Sequence, residues 1–113
     1  MLPADNRLKR DQDFQKVAAK GRYGYSALLT VKYCPNHLPV SRFGFVISTK
    51  VDKRAVVRNR IKRRVREIIR LKLDEIKLGF DIVIIMKKAS VEAKYADFSQ
   101  DLFLVLERAN LLC

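Results

Sequence analysis

Three consecutive stretches decide the fold: Arg42-Phe43-Gly44-Phe45-Val46-Ile47-Ser48, Lys53-Arg54-Ala55-Val56-Val57-Arg58-Asn59-Arg60-Ile61-Lys62-Arg63-Arg64-Val65-Arg66-Glu67-Ile68-Ile69-Arg70, and Phe80-Asp81-Ile82-Val83-Ile84-Ile85-Met86. The first alternates, placing Phe43, Phe45 and Ile47 on one side, as a half-buried strand does. The third is apolar and β-branched, a strand buried on both faces. Between them, at about 100° per residue, Val57, Ile61, Val65, Ile68 and Ile69 fall within an arc of roughly 120°. A helix with so narrow an apolar stripe, flanked by strands, docks that stripe on their sheet.

Working outward, Asp11 reads as the N-cap and Gly21 as the stop of a short first helix, with Phe14, Val17 and Ala18 on one face. Ala27 to Tyr33 alternates as a strand, with Ala27, Leu29, Val31 and Tyr33 on one side. Cys34 to Pro39 is a turn. The two alternating segments therefore look like antiparallel neighbours. The basic helix is expected over Lys53 to Leu73, ending before Gly79. From roughly Glu92, the spacing of Tyr95, Phe98, Leu102, Val105, Leu106 and Ala109 predicts an amphipathic final helix. Helix, two or three strands, helix, strand, helix makes an α+β, single-domain α/β sandwich.

The chain has 113 residues, with 24 Lys and Arg against 12 Asp and Glu, a net charge of +12. That length predicts one domain over residues 1–113, and 49% apolar residues give it a core. The charge is local: residues 50–72 carry 11 basic and 2 acidic side chains, or +9, whereas residues 73–113 are net −2. Outside its apolar stripe the helix carries Arg60, Lys62, Arg63, Arg64, Arg66 and Arg70, with Asn59 among them and Arg54 and Arg58 nearer the stripe. Like charges at i,i+4, such as Arg58 with Lys62 and Lys62 with Arg66, destabilise an isolated helix by about 0.3 kcal/mol a pair. An external polyanion would neutralise them. Arginine also suits phosphate and base edges, because its planar fork donates paired hydrogen bonds and stacks. A solvated basic face without a ligand, a membrane-surface helix and a calmodulin-type target are the alternatives. The aliphatic stripe, committed to a core and lacking Trp and Phe, argues against the last two.

Other classes are excluded by composition. Cys34 and Cys113 are too few and too distant for a disulfide framework or a zinc site, and fit reduced thiols. His37 is alone in a turn expected to face solvent. Met1 to Phe14 is polar and charged, so no secretory signal is visible. The longest apolar run, Ile82 to Met86, is five residues and too short to span a bilayer. A soluble cytoplasmic protein is expected, with no membrane partner. Asp74, Glu75, Asp81, Glu92, Asp97, Asp101 and Glu107 read as dispersed surface acids, not a metal-holding cluster, so no residue is assigned as catalytic or as a metal ligand.

The string Arg58-Asn59-Arg60-Ile61-Lys62-Arg63, with Lys53-Arg54-Ala55 and the strand Arg42 to Ser48 before it, closely resembles the Arg-Asn-Arg helix of the bacterial ribonuclease P protein subunit. Asn6-Arg7-Leu8 to Asp13-Phe14, the strand Phe80 to Ile85, Tyr95 and the Leu102 to Leu106 region resemble that family too, in order along nearly the whole chain. The resemblance implies an α-β-β-β-α-β-α sandwich with a left-handed β-α-β crossover, against the usual hand. It implies binding to the catalytic RNA of ribonuclease P and to precursor tRNA, whose 5′ leader is removed at an RNA-built site with magnesium held mainly by the RNA subunit. By position, Arg58, Asn59, Arg60, Lys62, Arg63 and Arg66 would engage RNA, and Lys50, Lys53 and Arg54 would extend the cationic surface at the helix entrance. Phe14 would line a cleft for the single-stranded leader. From spacing alone Phe14 reads equally as a core residue under the first helix, and family members often carry a second aromatic where this chain has Ala18.

Two rivals share the charge. A small ribosomal protein would have the sandwich without the leader cleft. A helix-turn-helix DNA-binding protein would place its recognition helix after another helix, whereas strands flank the basic helix here, so no DNA partner is expected.

Overall fold

The computed structural model describes residues 2–113. Its elements run α1 (Asp11–Lys20), β1 (Arg22–Tyr25), β2 (Leu29–Pro35), β3 (Arg42–Val46), α2 (Ala55–Lys72), β4 (Phe80–Met86) and α3 (Tyr95–Arg108), with short 3-10 turns at Ala4–Asn6, Leu73–Glu75 and Lys88–Glu92. This is the expected order of helices and strands in one α+β domain.

The strands form one mixed sheet in the order β1-β2-β4-β3. The expected antiparallel pairing of β2 with β3 is corrected: β4 lies between them, antiparallel to β2 and parallel to β3. The physical reason is burial. Ile82, Val83, Ile84 and Met86 are all shielded, so β4 needs a strand on each edge and a layer on each face. β3, α2 and β4 thus make the β-α-β unit. Its connection passes over the face where Leu29, Val31, Phe43, Ile82 and Ile84 meet Val57, Ile61, Val65, Ile68 and Ile69 of α2 and Phe98, Leu102, Val105 and Leu106 of α3. All five residues of the predicted stripe are buried.

The opposite face is covered only in part, by α1. Leu8, Val17, Cys34 and Val83 form a second, smaller cluster there, with Phe14 and Ile85 packed against it. Burial pushes the Cys34 thiol above its ordinary range. The outer edge of β3 is met by the N-terminal segment, through an Arg7–Phe43 bridge and the Leu8 N–H donating to the Phe43 carbonyl at 2.9 Å.

Several local expectations shift. Arg10, not Asp11, is the residue before α1. Ala27 is exposed because Ala27 and Leu28 form the β1–β2 turn. Ser26 Oγ donates to Asp101 Oδ2 at 2.7 Å, and the Leu28 N–H donates to the same oxygen at 3.1 Å, so α3 clamps that turn. α2 begins at Ala55 rather than Lys53 and α3 at Tyr95 rather than Glu92. Tyr95, at the exposed start of α3, lies outside the core.

Asp81 is the main correction among the acids. It is 2% exposed, not a surface residue. Paired in register with Arg42, it accepts from Arg42 Nε at 2.8 Å and Nη2 at 2.7 Å, and from Asn36 Nδ2 at 2.9 Å. Arg42 also reaches Asp13 of α1, at 3.5 Å. One carboxylate therefore ties β3 and the β2–β3 connection to β4, and through Arg42 links them to α1. Gly79, at φ +90, makes the turn into β4 in a backbone region that side chains disfavour.

Candidate nucleic-acid interface

The basic surface is built on α2 and the loop before it. Lys50 is exposed in the turn after β3, where its N–H donates to Ser48 Oγ at 3.1 Å. Asp52 organises the helix entrance: it accepts the Arg54 N–H at 2.8 Å and both arms of the Arg54 guanidinium, at 3.1 and 3.0 Å. Those bonds hold the Asp52 carboxyl at a pKa of about 2. Arg58 folds back to donate to the carbonyls of Asp52 and Lys53, at 2.9 and 2.8 Å. Arg66 lies over the Phe45 ring at 5.4 Å, a cation–π contact that fixes its direction.

Other side-chain pairs on α2 are Glu67 with Arg70 and Arg64 with the Ala93 carbonyl. Lys50, Lys53, Asn59, Arg60, Lys62 and Arg63 donate no side-chain hydrogen bond and form no ion pair among the described residues; all but the half-buried Lys62 are exposed. The first turn of α2 holds no acid and Asp52, just before it, is paired with Arg54, so Arg58 is left facing the positive end of the helix dipole. Like charges gathered at a helix N-terminus raise the chain's own energy and make a receptive place for phosphate.

Phe14 occupies the border of the second sheet face. It is half-buried, and its ring lies against the Cα of Gly44, where a Cβ would collide with the ring. Phe14 thus has both a packing contact and an open side. Ala18, one turn on, is exposed and supplies no ring. Beyond Phe14, strand register places Thr30, Lys32, Val46 and Ile85 on this same face. None is fully buried, and Val46 is 38% exposed, so α1 leaves an open strip of sheet with its own cation. Lys32 and Ile85 were not singled out by the sequence, although the phase of β2 against Cys34 and of β4 against Val83 carries that information.

Among the described residues no three His, Cys, Asp or Glu side chains come together as a metal site. Asp52, Asp81 and Asp101 are each engaged by protein donors. Among the described residues no helix is long and apolar enough to cross a membrane.

Comparison with known proteins decides what this arrangement belongs to. The sequence model of the Ribonuclease P family matches residues 2–110. The chain belongs to the ribonuclease P protein family. The ribonuclease P protein component of Microcystis aeruginosa is 42% identical, across 98% of this chain and 96% of the relative. Among solved structures, the RNase P protein of Staphylococcus aureus superposes with a TM-score of 0.88 at 29% identity, covering 96% of this chain and 98% of that one. The RNase P protein of Thermotoga maritima gives 0.83 at 31% identity, covering 90% and 96%. Family membership thus runs through both the basic helix and the half-covered sheet face.

Proposed function

We propose that this chain is the protein subunit of a bacterial-type ribonuclease P, which binds the catalytic RNA and the 5′ leader of precursor tRNA and so assists magnesium-dependent removal of the leader. The observation that carries the reading is the basic surface of α2, where Arg60, Lys62 and Arg63 have no protein partner among the described residues, on a helix whose opposite side is committed to the core. Lys50, Lys53, Arg54, Arg58, Asn59, Arg60, Lys62, Arg63 and Arg66 are assigned to RNA. Arg60, Lys62 and Arg63 are free to take phosphates directly. Arg58 and Arg54 combine a structural bond with a charge that still faces outward. Arg66, braced by Phe45, presents a planar donor with little rotamer entropy left to lose.

The chemistry belongs to the RNA, and so does most of the magnesium. The protein's part is electrostatic and positional: its cations reduce phosphate repulsion where substrate and catalytic RNA meet, which lowers the magnesium needed for the same assembly. The open strip beside Phe14 takes the single-stranded leader, whose bases stack on an aromatic face whatever their sequence. On this reading the site of action is the cytoplasm, where the catalytic RNA and precursor tRNA meet.

The test is reconstitution. Added to bacterial ribonuclease P RNA at low magnesium, the chain should restore cleavage of precursor tRNA at the mature 5′ end; no rescue at any protein concentration overturns the proposal. Within that holoenzyme, Phe14→Ala should weaken leader-bearing tRNA by about tenfold, the lower part of the range for one lost base stack, and leave mature tRNA unaffected. Equal losses on both substrates would return Phe14 to a purely structural role.

A further inference from the structure

We infer that Tyr23 and Tyr25 form a second stacking platform for single-stranded RNA, at the far end of the open sheet strip from Phe14. The inference rests on the leader-cleft reading and adds where the strand travels after it leaves α1.

Both tyrosines lie on the edge strand β1, in register with β2: Tyr23 opposite Lys32 and Tyr25 opposite Thr30. Directly opposed residues point to the same face, so both rings share the face of Phe14, Ile85 and Val46. They are the open end of it, at 67% and 64% exposure. Their intervening neighbour Gly24 turns the other way, toward Val105 of α3, and it is that side of β1 that serves the core. The rings stack on each other, with centroids 6.4 Å apart and planes inclined by 23°. The pair therefore offers two near-parallel, mostly exposed rings on the open face.

A fixed cation stands beside it. Lys87 donates to the Ser26 carbonyl at 2.6 Å, which holds its Nζ 5.1 Å over the Tyr25 ring. Lys32 supplies another across from Tyr23. Exposed aromatic rings interleaved with cations match a sugar-phosphate chain with unstacked bases better than a protein partner. From β1 to β3 the strip crosses three inter-strand spacings, or about 14 Å, so a strand of several nucleotides can touch Phe14 and the tyrosines together. The aromatic surface that Ala18 does not provide on α1 is thus present on β1.

The experiment uses the reconstituted holoenzyme and two substrates, a precursor tRNA with a leader of about ten nucleotides and the mature tRNA. Tyr23→Ala/Tyr25→Ala should weaken the precursor by about tenfold and leave mature tRNA and catalytic-RNA binding unchanged, because a lost stacking platform affects only the single strand. Tyr23→Phe/Tyr25→Phe, which keeps the rings and removes the hydroxyls, should bind the precursor as the parent does. Unchanged precursor affinity in the alanine pair overturns the platform. So does an equal loss on both substrates, which is a folding effect, or weaker binding of catalytic RNA, which makes the pair a contact to that subunit. The leader-cleft reading fails separately, when the parent holoenzyme does not favour precursor over mature tRNA or when Phe14→Ala is silent on the precursor.

Discussion

Replacing Asp81 by Ala is expected to destabilise the chain by about 3 kcal/mol, more than any substitution on the basic surface. Removing one partner of a buried ion pair costs about 3–5 kcal/mol because the remaining charge is left without compensation. Here the residual access of Arg42, 20% by side chain, and its contact with Asp13 place the loss toward the lower end. Asn36 loses a hydrogen bond as well. Against a total stability of about 5–15 kcal/mol, that is a large fraction, and it corresponds to a fall in Tm of about 15 °C for a domain of this size. Urea and thermal unfolding measure it. Asp81→Asn combined with Arg42→Met, which removes both charges with little change of volume and keeps an oxygen for Asn36, should recover part of the loss. A change below about 0.5 kcal/mol in the single variant, the ordinary range for surface substitutions, would mean that the clamp between β3 and β4 is dispensable.

The second large effect is on affinity. With about six phosphates neutralised, log K for RNA should fall with log salt at a slope of roughly −4 to −5, so raising salt from about 50 to 200 mM weakens binding by roughly 250- to 1,000-fold. The Arg60→Ala/Arg63→Ala pair should make that slope shallower by about 1.5 while changing stability by no more than about 0.5 kcal/mol, since both side chains are exposed. A slope near zero in the parent would contradict an electrostatic interface. Stability lost in step with affinity would make the two arginines part of the fold.

The apolar stripe of the basic helix was legible because its pattern is local, although the helix starts at Ala55 and not at Lys53. The phase of Val57, Ile61, Val65, Ile68 and Ile69 needs no knowledge of what lies across from them, and each is buried. Sheet order was not legible in the same way. Alternation in β2 and β3 says that each has an inner face, but not which neighbour each takes, and two strands joined by a short connection look paired until a third claims the place between them. The two-sided apolar character of β4 held that information, because a strand covered on both faces belongs inside a sheet. Asp81 was misplaced for a related reason: a carboxylate in such a strand needs a buried partner, and Arg42 lies 39 residues away in sequence. Within the candidate site, the charged positions could be read one by one, whereas Tyr23 and Tyr25 gained meaning only when register placed them on the face of Phe14. The two readings of that phenylalanine, packing and platform, meet in one side chain with Gly44 beneath it and an open side above.

The central place of β4 also bears on when the protein can become itself during synthesis. Until residues 80–86 leave the ribosome, β2 and β3 have no common partner, and the apolar stripe of α2 has no finished surface to settle on. Only the β1–β2 hairpin and the helices can form beforehand, and contacts that wait for distant sequence form late. The nascent chain therefore emerges with its strongly cationic segment exposed and its sheet open. Its core closes later still, once Phe98, Leu102, Val105 and Leu106 of α3 follow the last strand into place.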